Sequence, residues 1–265
     1  MIRIVPKPDT HLNSNDQPLV LVPMSAEDDA RRKARVRWMV GGAVVLVLAA
    51  AGYSYKRYMD PLNARESFDA GTRFYKIARY NQAILSFDRS IALQPQMAEA
   101  YLMRGKSLVG DARPEASLAD FSRFIELRPS DPNGYVERGL AYLELNKLGQ
   151  AVADANKAIE KNPKLAAAYN LRGSAIRKGG DAKGALQDFD HAVEFDPSAD
   201  NYYQRGATYQ LLGEHTLAIA DFDKVIEIIP DLGNAFYARA ESKRALGDLK
   251  GAEADHHQGR VLDGK

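Results

Sequence analysis

Proline recurs in this chain at positions 61, 95, 129, 163, 197 and 230, giving four intervals of 34 residues and one of 33. No other feature narrows the possible folds as far, because a fixed period of this length marks one supersecondary unit stacked repeatedly. Ten residues after the prolines stand Gly71, Gly105, Gly139, Gly173 and Ala240, with Gly206 one residue early. An aromatic precedes the small residue by four positions in five copies (Tyr101, Tyr135, Tyr169, Tyr202, Phe236), and Phe74, Leu108, Tyr142, Ile176 and Tyr209 follow it by three. These spacings put the residues on one helical face. Twelve residues beyond the small residue come Ala83, Ser117, Ala151, Ala185, Ala218 and Ala252, and four further on Phe87, Phe121, Ala155, Phe189, Phe222 and His256. That is a second helix, stopped by the next proline. Each unit therefore reads as a helical hairpin with a small residue where its helices cross.

The pattern resembles the tetratricopeptide-repeat family. Its aromatic-x2-apolar-Gly-x2-aromatic, Ala-x3-Phe and closing proline appear in the fourth copy as Tyr169, Gly173, Ile176, Ala185, Phe189 and Pro197. The resemblance covers residues 62–265 and implies an all-α fold, a helical-hairpin solenoid of six repeats. The glycine-rich stretch at 170–190 is then the turn of the fourth hairpin rather than a phosphate loop, which would open a helix after a strand.

The chain departs from the family just before the small residue, where an apolar side chain is usual. Five copies carry arginine there (Arg104, Arg138, Arg172, Arg205, Arg239), and sixteen residues later each carries aspartate (Asp120, Asp154, Asp188, Asp221, Asp255). The first copy has Ala70 and Ser86, so it lacks both members together. Joint presence and joint absence predict a structural ion-pair ladder within the hairpins.

Ahead of the repeats, Trp38 to Tyr55 is 18 residues without a charge, roughly 27 Å as a helix and close to a bilayer's hydrocarbon thickness. Residues 31–57 thus read as a basic flank and a single transmembrane helix, with residues 38–55 meeting lipid. Trp38 lies at one interface and Tyr53, Tyr55 and Tyr58 at the other. The small residues at 49–52 resemble a signal-peptide cleavage site, but the basic region before them is too long for such a peptide. Arg31, Arg32, Lys33, Arg35 and Arg37 precede the span and only Lys56 and Arg57 follow it closely. The bias predicts a cytoplasmic N-terminus and a repeat body across the membrane. Residues 1–30, with four prolines and no helical period, read as a disordered cytoplasmic tail whose run at 18–24 is apolar.

The resemblance also implies a concave groove lined by the first helix of each hairpin. The matching positions are Phe68 and Tyr75, Leu102, Lys106 and Val109, Val136, Leu140 and Leu143, Asn170 and Arg177, Tyr203 and Tyr237. Such a surface suits a peptide or helix of a protein partner. Family members that grip acidic chaperone tails use lysine, asparagine and arginine where this chain has Phe68, Thr72, Met103, Asn133 and Glu137, which argues against that role. Residues 1–61 hold nine Lys or Arg and six Asp or Glu, leaving 27 and 29 for the rest, a body near −2 without the basic stripe of a nucleic-acid binder. Cysteine is absent. No nucleophile–base motif, zinc spacing or nucleotide loop occurs, and adjacent His256 and His257 diverge on a helix. Neither catalysis nor a cofactor, metal or small-molecule substrate is therefore expected. The expectation is a scaffold for membrane-proximal proteins, on the periplasmic side of an inner membrane and assisting an envelope assembly. The alternative is an organelle-surface receptor with cytosolic repeats.

Overall fold

A computed structural model describes residues 2–6, 19–23 and 25–264, and divides the chain into compact units at Met1–Leu62 and Asn63–Lys265. In the first unit, β1 (Ile2–Pro6) pairs antiparallel with β2 (Leu19–Pro23), Ile4 opposite Leu21. The segment expected to be irregular over 1–30 thus contains two short strands, because five-residue β-branched and leucine runs favour an extended backbone; residues 7–18 lie outside those described. Helix α1 (Ala26–Lys76) starts where Ser25 Oγ accepts the Asp28 N–H at 3.1 Å. Glu27, Asp28 and Asp29 in its first turn complement the helix dipole. Its Ala26–Ser54 portion is long and apolar enough to cross a membrane.

Pro61 does not break α1. Residues 63–76 of α1 form the first helix of the first repeat. Where a proline follows the second helix of a hairpin it does end it. Helices α2 (Tyr80–Leu93), α4 (Pro114–Leu127), α6 (Leu148–Lys161), α8 (Ala182–Phe195) and α10 (His215–Ile228) each stop two residues before a proline. The residue between is driven out of the helical region, as at Asn162 (φ −141°, ψ 96°). The first helices are α3 (Ala98–Gly110), α5 (Pro132–Glu144), α7 (Ala166–Lys178), α9 (Ala199–Leu211) and α11 (Gly233–Ala245), and α12 (Leu249–Leu262) closes the last hairpin.

Small residues set the approach of each pair. A Cβ on Gly71 would come within 2.7 Å of the Phe87 ring, and one on Gly105 within 2.6 Å of Phe121. In the third hairpin Ala155 replaces the phenylalanine, and Leu171 of the next repeat fills the space, 2.5 Å from a Cβ on Gly139. Every hairpin turn carries one left-handed residue: Ala78, Ala112, Asn146, Gly180, Gly213 and Gly247. The glycine-rich stretch is thus a turn, with Gly180 at φ 98°. L-residues there cost roughly 1–2 kcal/mol, partly offset because glycine is freer when unfolded. Ala112→Gly should therefore raise stability by roughly 0.5–1 kcal/mol and Gly180→Ala lower it by about as much, read from urea midpoints at constant m.

The arginine–aspartate pairs form within all five hairpins, each bidentate: in the fourth, Arg172 Nε donates to Asp188 Oδ2 at 2.9 Å and Nη2 to Oδ1 at 2.7 Å. The other four have the same two bonds. The carboxylates are only 4–5% exposed. Burial alone would push Asp255 up, but Arg239 and Lys243 outweigh it and hold that carboxyl below its usual range. A third bond was not foreseen. Each Nη1 reaches back to the second helix of the preceding repeat, onto Asp88 (2.6 Å), Ser122 (3.0 Å), Asn156 (2.7 Å), Asp190 (3.0 Å) or Asp223 (2.6 Å). The first repeat, with Ala70 and Ser86 at the two positions, makes neither the pair nor the reach backwards. Removing one partner strands a buried charge, at roughly 3–5 kcal/mol. Arg172→Leu should therefore destabilise far more than Arg172→Leu with Asp188→Leu; additive losses in the double-mutant cycle would refute the pairing.

Candidate partner-binding groove

Successive first helices place equivalent positions side by side. The C-terminal halves of α5, α7 and α9 enclose an open groove of about 630 Å³. Leu140, Leu143 and Glu144 come from α5, Ser174, Arg177 and Lys178 from α7, and Gln204 and Leu211 from α9. Leu140 is 44% exposed and Leu211 69% exposed, so the groove presents two uncovered leucines. Its walls are held by polar bonds between repeats. Asn170 Nδ2 donates to Asn201 Oδ1 at 2.7 Å, and Arg177 donates to the Gln204 carbonyl at 2.9 Å and to Thr208 Oγ1 at 3.0 Å. Burial lowers the Arg177 pKa from its ordinary value.

Of the residues anticipated from sequence, Leu140, Leu143 and Arg177 meet in this groove. Asn170 stands beside it, bonding α7 to α9. Leu102 and Val109 are half-buried on α3, where Lys106 pairs with Glu137 of α5 at 2.5 Å. Phe68 and Tyr203 pack against the phenylalanines of their own hairpins, each 5.6 Å from Phe87 or Phe222 between ring centroids. Tyr75 lies edge-on to Tyr80, and the Tyr237 hydroxyl donates to Asp263 at 3.0 Å. Val136 is a correction: only 7% exposed, it packs with Ala158 and Ala168 inside the core, because both neighbours are small enough to let it sink. Sequence reading missed Glu144, Lys178 and Leu211, which occupy one repeat column immediately after Leu143, Arg177 and Gln210. No shared residue type marks that column in the sequence. Among the described residues no group of three or more potential metal-ligating side chains comes together.

Family models for the tetratricopeptide repeat match residues 68–132, 136–200 and 199–232. The solved structure of a thermophilic repeat protein from Thermus thermophilus aligns at 21% identity and TM-score 0.60, over 69% of this chain and 98% of that one. PilW, a type IV pilus biogenesis factor, aligns at 17% identity and TM-score 0.68, over 75% and 92%. A repeat protein from Parabacteroides merdae ATCC 43184 aligns at 20% identity and TM-score 0.64, over 87% and 91%. At these identities the likeness is one of fold. No curated protein matches the chain.

The burial contrast makes a prediction. Leu140→Asp should leave the thermal midpoint almost unchanged, whereas Val136→Asp buries an unpaired carboxylate and should lower stability by several kcal/mol, about 3 or more, in calorimetry.

Proposed function

The chain belongs to the tetratricopeptide-repeat family, and from that premise we propose that it is a membrane-anchored scaffold that holds a helix or extended segment of a membrane-proximal protein in this groove. Proteins of this family are in general interaction scaffolds, and the mechanism is binding rather than chemistry. The observation that carries the reading is the pair of uncovered leucines in an open groove whose walls are bonded from repeat to repeat. Exposed leucine costs free energy in water, so contact with a partner's apolar side chain is favourable, and neighbouring polar groups fix its direction. Leu102, Lys106 and Val109 on α3 extend the same row toward the first repeats.

The membrane part rests on residues 26–54 of α1. Trp38, Met39, Val40 and the residues from Val44 to Leu48 are large, apolar and exposed, and a bilayer is the cover that suits such a helix on all sides. The five basic residues at 31–37 support a cytoplasmic N-terminus with the repeat body across the membrane; on our reading that is the periplasmic side of an inner membrane, where the scaffold assists an envelope assembly. Protease added to cells with a permeabilised outer membrane should then remove a C-terminal tag and leave a protected fragment of about the first 60 residues. Full protection, with an external control digested, would reverse the orientation and favour a receptor with cytosolic repeats.

A further inference from the structure

Arg177 differs from the five ladder arginines. Each of those faces a buried aspartate, whereas the Arg177 guanidinium, 5.0 Å from the Phe189 ring centroid, donates to neutral oxygens alone. These are the carbonyl of Gln204 (2.9 Å), its Oε1 (2.6 Å) and Thr208 Oγ1 (3.0 Å), and no carboxylate lies within ion-pair distance among the described residues. Two of the five N–H donors remain for an incoming group. Lys178, next in sequence, donates to the Leu143 carbonyl at 2.9 Å and likewise has no ion pair among the described residues. Glu144 is the carboxylate on the groove wall, so two cations there stand against one anion. A half-buried cation without a counter-charge is costly, and the complement that offsets the cost is an external carboxylate.

We propose that the groove selects a protein segment carrying an Asp or Glu carboxylate within one helical turn of a leucine-sized apolar side chain. The carboxylate meets Arg177 and Lys178, and the apolar side chain packs on Leu140 and Leu211. This rests on the groove being the docking site, and it adds the chemistry of what docks. Both cations lie on α7 in the fourth repeat, with Leu140 on α5 and Leu211 on α9, so recognition couples one anion to one hydrophobic anchor.

The test is to pan a random phage-displayed peptide library against the full chain in detergent micelles and measure selected peptides by fluorescence anisotropy. Selected sequences should pair an acid with Leu, Ile or Phe. Arg177→Gln should weaken them about tenfold or more, with Arg177→Lys recovering most of the loss and high salt shrinking the difference. Lys178→Gln, at an exposed position, reads the same charge should Arg177→Gln disturb folding, and should weaken binding several-fold. Leu140→Asp should abolish binding of all of them. Peptides lost with Leu140→Asp yet without acidic preference and indifferent to both charge variants would overturn the acidic reading and leave the scaffold standing. If no selected peptide responds to Leu140→Asp, both readings fall.

Discussion

Each ladder arginine holds a carboxylate that the fold has taken out of water, and it does so from between two repeats. Two donors close the hairpin on its own aspartate while a third reaches the preceding second helix, and the guanidinium lies near the face of the aromatic three residues earlier, 5.5 Å away for Arg172 and Tyr169. One side chain thus ties together three helices. In a solenoid each repeat touches only its neighbours, so this bond adds to the apolar contacts that couple one repeat to the next. The groove depends on it, since the relative placement of α5, α7 and α9 is what brings Leu140 and Leu211 to one trough.

Both terminal faces of the array carry polar side chains. The face of the first repeat that would meet an earlier one carries Asn63, Glu66 and Ser67. On the last helix, Glu253, His257 and Arg260 stand exposed where a further repeat would dock. Polar terminal faces keep an array soluble and bring its stacking to a stop.

Much of this was legible in the residues. The hairpins, their crossings and the arginine–aspartate pairing could be read from one chain, because six imperfect copies serve as their own comparison and the first copy drops both partners at once. The third arginine bond was not, since its acceptors are Asp88, Ser122, Asn156, Asp190 and Asp223, chemically too varied to show as a pattern. Val136 defeated a rule of position: Phe68, Leu102, Asn170, Tyr203 and Tyr237 in the same column stay half-buried, but small neighbours admit Val136 to the core. Pro61 defeated a rule of punctuation, for it stands inside α1 whereas the later five prolines of the period each follow the end of a helix. The groove's last column was overlooked because Glu144, Lys178 and Leu211 share no chemistry.

One irregularity in the array has a consequence for how it assembles. At the position where other repeats place Ala100, Gly134, Ala168 or Ala235, the fifth has Asn201, buried, donating to the Asp196 carbonyl at 2.8 Å and accepting from Asn170. The same junction is where the proline spacing shortens by one residue. Hairpins of one pattern in tandem can mispair, since a second helix can dock on the wrong first helix. A buried amide penalises that error, because any neighbour other than α7 and the end of α8 leaves it desolvated without partners. Asn201 thus ties α9 to α7 and to the end of α8 through bonds that the alanine or glycine of the other repeats could not make.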